Sequence, residues 1–146
     1  MKQVTKQQGG FTLIEVVLVL AIGALIILMA LLAFGGAQRG RRDTARTNAA
    51  GTLASALEQY AANNNGTYPG DQTTLDSITT TAMNDPKTGT KPTLSNSAAS
   101  GTVLTYSPGA NCGADGKTFT AGSASGSYAI TYKQESGTTV ACRSNQ

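Results

Sequence analysis

Few residues in this chain could carry out chemistry. The 146 residues contain two cysteines, Cys112 and Cys142, and no histidine. Without histidine the usual general base is missing, and Ser–His or Cys–His nucleophile pairs are excluded. Two cysteines cannot supply the four ligands of a structural zinc site. The composition therefore predicts no catalytic residue, no bound metal and no cofactor.

The two cysteines are better explained as a structural pair. An even number of cysteines in a small domain that follows a long apolar run predicts a disulfide. A bridge between Cys112 and Cys142 would close a loop of about 30 residues and stabilise the fold by roughly 3–4 kcal/mol. Two reduced, buried thiols are the alternative.

The remaining charges do not form an obvious site. After Arg46 the chain has five bases (Lys87, Lys91, Lys117, Lys133, Arg143) and six acids (Glu58, Asp71, Asp76, Asp85, Asp115, Glu135). Their near balance does not suit a basic nucleic-acid platform. The acids are scattered singly, and a calcium loop at Asp71 and Asp76 lacks regular ligand spacing. We expect these acids to lie in solvated loops.

One acid lies where acids are rare. Glu15 follows Phe11 by four residues, and no charged residue occurs from Val16 to Gln38. As a helix, this run of about 23 residues spans roughly 35 Å, enough to cross a hydrocarbon core of about 30 Å. A carboxylate costs about 2.5–3.5 kcal/mol near the centre of that layer and less toward its end. Glu15 therefore needs a cationic partner, or it snorkels to the interface from the helix start.

The residues around this acid resemble a known signal. The string Gly10-Phe11-Thr12-Leu13-Ile14-Glu15, after a short leader with Lys2 and Lys6 and before an apolar helix, resembles the class III signal of type IV pilins and pseudopilins. The resemblance implies that residues 1–10 are a leader peptide, cut off between Gly10 and Phe11 by a prepilin peptidase. Phe11 would then carry a methylated amine. Glu15 would pair with the Phe11 amine of a neighbouring subunit and set the register of assembly.

The same resemblance implies a function and partners. The chain would be a non-enzymatic subunit that polymerises into a helical homo-oligomeric filament for adhesion, twitching motility or DNA uptake. It would be a single-pass membrane protein before assembly and part of an extracellular pilus afterwards. Its partners would be the prepilin peptidase, an assembly platform protein and an assembly ATPase.

Other interpretations remain open from the sequence. One is a pseudopilin of a type II secretion or competence system. Another is an extracellular binding module with a single membrane anchor. A conventional signal peptide, cleaved near Ala33-Phe34-Gly35, would remove the apolar segment altogether.

The elements that must position these residues begin with a long helix. We expect residues 11–37 to form a transmembrane or filament-core helix and residues 38–62 its amphipathic continuation. Glycines at positions 35, 36 and 40 are expected to interrupt it, since each costs about 1 kcal/mol relative to alanine. The segment Arg39–Arg46 is expected to form a turn that faces lipid headgroups, with nucleic-acid binding as a weaker alternative. The positive-inside rule conflicts with an outside location for these arginines, and the resemblance is taken to prevail.

The rest of the chain predicts a small sheet domain over residues 63–146. An apolar stripe on the second half of the helix should pack on the sheet (Ala45, Ala49, Leu53, Ala56, Leu57, Tyr60). Residues 71–101 read as a long surface connection with one helical turn at 73–80. Short β-like runs follow (Thr102–Ser107, Lys117–Ala121, Ser127–Lys133, Thr138–Arg143), and glycine-rich breaks between them suggest hairpins. The predicted fold class is α+β: a long N-terminal helix, half transmembrane, packed on a small antiparallel sheet as in type IV pilins.

Overall fold

A computed structural model describes residues 9–122 and 126–146. Most of the expected leader, with Lys2 and Lys6, and the middle of the glycine-rich break at 122–126 lie outside the described residues. Contacts divide the chain into two compact units, one ending at Ala37 and one spanning Gln38–Gln146. We call the second the C-terminal unit.

One helix dominates the N-terminal half of the sequence. Helix α1 spans Leu13–Asn63 without a break. The expected interruption at glycines 35, 36 and 40 is therefore wrong. Each glycine costs about 1 kcal/mol, but the 51-residue helix is otherwise rich in Leu, Ile and Ala, which are good or tolerable helix formers and offset this cost. The Asn-Gly stop is confirmed, because Gly66 takes a positive φ of 78° and its N–H donates to the Ala61 carbonyl at 2.8 Å.

The buried face of α1 within the C-terminal unit agrees with the predicted stripe at Ala49, Leu53 and Leu57 and differs from it at Ala45. The buried residues lie at spacings of three and four (Asp43, Arg46, Ala49, Ala50, Leu53, Ala54, Leu57, Ala61). Ala45, expected on this stripe, is exposed, while the charged Arg46 beside it is fully buried. The apolar pattern alone was wrong only at the start of this face, because it could not allow for a charged residue pointing inward.

The main sheet has four strands in the order β1-β2-β5-β6. Their bounds are β1 Thr93–Leu94, β2 Thr105–Pro108, β5 Tyr128–Lys133 and β6 Val140–Ser144. Strands β2, β5 and β6 pair antiparallel, as predicted, but β1 pairs with β2 in parallel. The sheet is therefore mixed, and the expectation of a wholly antiparallel sheet is corrected. A two-residue strand is too short to show a period in the sequence.

The run at Lys117–Ala121 belongs to a separate small sheet. Strands β3 (Asn111–Cys112) and β4 (Phe119–Thr120) pair antiparallel with each other. The Cys112–Cys142 disulfide is confirmed, with a Cα–Cα distance of 5.7 Å, and it joins β3 to β6. The Cys142 N–H also donates to the Gly116 carbonyl at 2.8 Å. The bridge thus fastens the small sheet to the edge of the main one.

The sheet is covered on both faces. On one face Tyr128, Ile130 and Tyr132 belong to a core that includes Leu53 and Leu57 of α1. On the other face Thr131 is also fully buried, and its hydroxyl accepts a hydrogen bond from the Ala99 N–H at 2.9 Å.

The segment 71–101 is therefore more than a surface connection. It contains α2 (Gln72–Ile78), a short 3-10 helix (Thr81–Met83) and β1. Helix α2 agrees with the helical turn predicted at 73–80. The predicted α+β class, with a long apolar helix packed on a small sheet as in type IV pilins, is confirmed.

Candidate functional site at the start of the long helix

Helix α1 begins with a reciprocal cap between Thr12 and Glu15. The Thr12 N–H and hydroxyl donate to Glu15 Oε2 at 2.8 Å and 2.7 Å. In return the Glu15 N–H donates to the Thr12 hydroxyl at 3.3 Å. This capping box satisfies two backbone donors that a helix start otherwise leaves open.

The sequence carried the signal for this cap, since Thr12 and Glu15 have the Thr-x-x-Glu spacing of a capping box. Sequence reasoning missed the cap and weighed Glu15 only as a partner for another charge or as an acid that snorkels to the interface from the helix start. Both hydrogen bonds that the Glu15 carboxylate accepts from the described residues end on Oε2, which leaves Oε1 open to a further donor. The cap also lies wholly after the Gly10–Phe11 bond, so a cut at that bond would leave it intact.

The residues next to this bond are accessible. Gly9 and Gly10 are exposed, and the side chain of Phe11 is 89% exposed. Phe11 and Glu15 line one open, shallow, mainly apolar pocket with Val16 and Val19. Both predicted assembly residues are therefore on one side of the helix start.

The apolar helix beyond Glu15 has no cover in the described structure. Its large apolar side chains are exposed along the whole segment, from Val16 at 47% upward to Leu32 at 76%. By length and composition, α1 is apolar enough to cross a membrane. An apolar surface of this extent needs a lipid or protein environment. Glu15 is the only ionisable side chain on α1 before Arg39.

A second group of charges lies inside the C-terminal unit, around Arg46. The Arg46 side chain is fully buried and contacts three carboxylates. Its Nε donates to Asp85 at 2.7 Å, its Nη1 to Asp43 at 3.0 Å and its Nη2 to Glu135 at 2.6 Å. Arg42 also donates to Glu135, at 2.6 Å. We call these five residues the Arg46 cluster.

The carboxylates of the Arg46 cluster are held in their charged form. Burial alone would raise the pKa of Asp43, but hydrogen bonds from Ser136, from the backbone of Glu135 and from Arg46 lower it to about 2. Burial likewise opposes ionisation of Asp85, and hydrogen bonds from Arg46 and the backbone of Thr88 and Lys87 lower its pKa to about 2.

The pKa of Glu135 is also lowered to about 2, through hydrogen bonds from Arg42 and Arg46. Burial tends to lower the pKa of Arg46, but hydrogen bonds to Asp85 and Glu135 raise it overall.

The Arg46 cluster corrects two expectations from the sequence. The segment Arg39–Arg46 is helical, not a turn, and two of its arginines bind acids within the same unit. The acids Asp85 and Glu135 are not singly solvated, because both meet the Arg46 guanidinium. Only the Asp43–Arg46 spacing of three residues could have been read from the sequence. The other two contacts depend on the fold.

A comparison with protein-family models finds the prokaryotic N-terminal methylation motif at residues 5–31. The matched segment contains Gly10, Phe11 and Glu15 and extends well into α1. No curated protein and no solved structure matches the chain. The chain thus carries the class III signal that is the signature of type IV pilins and pseudopilins, and this signal opens a long helix whose later part packs on a small mixed sheet.

Proposed function

We propose that this chain is the structural subunit of a type IV pilus. In this proposal residues 1–10 are a leader that a prepilin peptidase removes, and Phe11 becomes the methylated amino terminus. Residues 11–37 anchor the precursor in the membrane and later form the filament core. Residues 38–62 continue the helix, and residues 63–146 form the extracellular part of each subunit. No role as an enzyme is assigned.

One observation carries this proposal: the methylation motif opens a helix that exposes an uninterrupted apolar surface with a single acid. Before assembly, lipid would cover that surface, and afterwards copies of the same helix would. Because lipid tails are as apolar as these side chains, close packing between the helices, and not removal of apolar area from water, would favour this exchange. The helix therefore supplies the attraction between subunits, but an apolar surface alone does not fix their register.

Glu15 supplies the register. A carboxylate within an apolar bundle is costly unless it meets a cation. Cleavage after Gly10 would create such a cation at Phe11, and the open Oε1 of Glu15 is available to accept from it. Assembly would then proceed only after processing, because the uncut chain has no amine at this position.

The partners in this account are a second copy of the chain, the peptidase, and an assembly platform with its ATPase. The disulfide near the carboxyl end favours a pilin over a pseudopilin. Long surface filaments that contain this chain would support the pilus, while a short periplasmic fibre would support the pseudopilin of a secretion or competence system. A singly anchored binding module would form neither.

The role of Glu15 is tested by separating its charge from its part in the cap. Glu15→Gln keeps an oxygen that can accept from Thr12 but removes the charge. Thr12→Ala is the matched control, since it removes the hydroxyl of the cap, at about 1 kcal/mol, and leaves the charge. Filaments sheared from cells are measured against the membrane-bound chain. We expect Glu15→Gln to reduce the sheared fraction at least about tenfold. A charge pair worth at least about 1.4 kcal/mol for each subunit added would change the equilibrium constant for adding that subunit by this factor.

Thr12→Ala should retain most of the filaments, and both variants should still be found in the membrane. Normal filament yield from Glu15→Gln, with loss in Thr12→Ala, would show that the acid acts only as a helix cap. That result would remove charge pairing from the proposal.

A further inference from the structure

We propose that the Arg46 cluster is an acid-releasable latch that holds two surface loops of the C-terminal unit on helix α1. The first loop is 84–91 and the second is the β5–β6 turn, 134–139. Each is fastened through an acid that meets the same buried guanidinium. This inference concerns the C-terminal unit and does not depend on filament formation.

Asp85 is the buried anchor of the first loop, and Lys91 at the end of the loop adds an exposed 3.9 Å ion pair with Asp76 of α2. Residues 86–91 are exposed, whereas Asp85 is fully buried. The two oxygens of Asp85 have separate tasks. Oδ1 accepts from the Lys87 and Thr88 N–H groups, both at 2.9 Å, and so shapes the loop itself. Oδ2 accepts from Arg46 and so attaches the shaped loop to the helix.

The second loop is anchored in a similar way. Residues 136–139 are exposed, and Glu135 accepts from Arg42 and Arg46 of the helix. The contact also runs in the other direction, because the Glu135 and Ser136 N–H groups each donate to Asp43 at 2.9 Å. The Glu135 carboxylate of the turn thus binds the arginines of the helix, while two N–H groups of the turn bind the Asp43 carboxylate of the helix.

The two loops are coupled because they share Arg46. Losing Asp85 leaves the guanidinium with an unpaired N–H in a site without solvent, which disfavours the buried position of the whole side chain. If Arg46 moves, Glu135 loses one of its two arginines. A change at one loop should therefore loosen the other, although they are about 50 residues apart in sequence.

Acid provides the release. The charged groups that face Arg46 are Arg42 and Asp43 from α1, Asp85 from the first loop and Glu135 from the second. The pKa values of the three acids lie near 2 in the fold, below their ordinary values near 4. A lowered pKa means that the stabilisation is complete above about pH 5 and is lost as the pH falls from 4 toward 2. Arginine keeps its charge throughout this range and would be left without partners.

The sheet itself is held by other means. Its core is apolar, with Tyr106, Ile130 and Leu53 fully buried, and the Cys112–Cys142 disulfide does not titrate in this range. Acid should therefore free the two loops before it unfolds the sheet.

Two-dimensional NMR of the full chain in detergent micelles, titrated from pH 7 to pH 2, tests the latch. The amides of Thr88 and Ser136 report the two loops, and the amide of Ile130 reports the sheet. We expect the two loop signals to change together below pH 4, while the Ile130 signal keeps its position to a lower pH.

The coupling is tested at pH 7 with Asp85→Asn, which keeps an oxygen for the loop but removes the charge that binds Arg46. Its matched control is Asp115→Asn. Asp115 begins the same type of Asp-x-Lys-Thr turn, but the hydrogen bonds to its carboxylate come from Lys117 and Thr118 within the turn. We expect Asp85→Asn to speed amide exchange of Ser136 at least tenfold, and Asp115→Asn to leave it unchanged. Glu135→Gln should act in reverse, on the amide of Thr88.

Three results would overturn the latch. One is a Ser136 exchange rate in Asp85→Asn equal to that in Asp115→Asn. Another is loss of the loop and Ile130 signals in a single step during acidification. A third is global unfolding of both Asp85→Asn and Glu135→Gln at pH 7, since the cluster would then hold the whole unit and not two loops.

Discussion

At the scale of single residues, surroundings decide what a carboxylate does in this chain. Glu15 lies at the edge of an apolar helix, where the only hydrogen bonds that its carboxylate accepts in the described structure come from Thr12. Asp85 is fully buried, but four donors surround it, including Arg46. Only the second carboxylate has its charge matched within the same chain, so Glu15 is the acid that a neighbouring subunit could match.

Arg46 is the residue on which the attachment of the two loops to α1 should depend most, and losing that attachment should lower the stability of the C-terminal unit. Arg46→Met keeps the length of the side chain but leaves three carboxylates together without their central cation. Removing one partner from a buried ion cluster costs about 3–5 kcal/mol. We expect a loss of this size in urea unfolding of the micelle-bound chain, followed by the near-ultraviolet circular dichroism of its tyrosines.

Arg41→Met is the control for that measurement, because Arg41 is exposed on the same helix and should change stability by no more than about 0.5 kcal/mol. Equal stability of the two variants would mean that the buried position of Arg46 contributes nothing.

Sequence distance decided which functional residues could be predicted from the sequence. Gly10, Phe11 and Glu15 could be singled out because they form a local string. The Thr12–Glu15 cap was equally local and was overlooked. The contacts of Arg46 with Asp85 and Glu135 span 39 and 89 residues. No spacing rule predicts a contact of that kind, since it arises only when the strands and the helix have packed.

At the scale of secondary structure, α1 illustrates how far periodicity can be used. Its apolar first part and its stop at Asn63 were predictable, because each has a strong local signal. Its buried face was predicted correctly at Ala49, Leu53 and Leu57 but not at Arg46, since hydropathy does not recognise an inward-facing arginine. The two-residue strand β1 was missed for a simpler reason: pairing with β2, and not its own pattern, makes it a strand.

The disulfide is the element-scale feature that is easiest to test. The bridge closes a loop with a sequence separation of 30 residues. Replacing both Cys112 and Cys142 with serine should therefore destabilise the C-terminal unit by roughly 3–4 kcal/mol and lower its melting temperature. Thermal melts with and without dithiothreitol measure this effect.

Reductant itself provides the control. It should lower the melting temperature of the wild-type chain and leave that of the double variant unchanged. If reduction had no effect on the wild type, the bridge would not contribute to stability.

At the scale of the whole molecule, the chain consists of two units with different needs. The unit ending at Ala37 has no buried residue in its described part, 9–37, and exposes its apolar side chains. The unit from Gln38 to Gln146 has an apolar core, a disulfide and a buried ion cluster. The exposed apolar surface of the first unit requires lipid or protein around it. This division supports a precursor anchored in the membrane and, in our proposal, a subunit that later exchanges lipid for copies of itself.

In our proposal that exchange depends on processing, because the amine that Glu15 would meet is created only when the chain is cut between Gly10 and Phe11. Mass spectrometry of the amino-terminal peptide of the chain recovered from cells tests this claim most directly. We predict a peptide that begins at Phe11 and carries a single methyl group on its amine. A chain that still begins at Met1, or one that begins near Gly36 after ordinary secretion, would contradict the account.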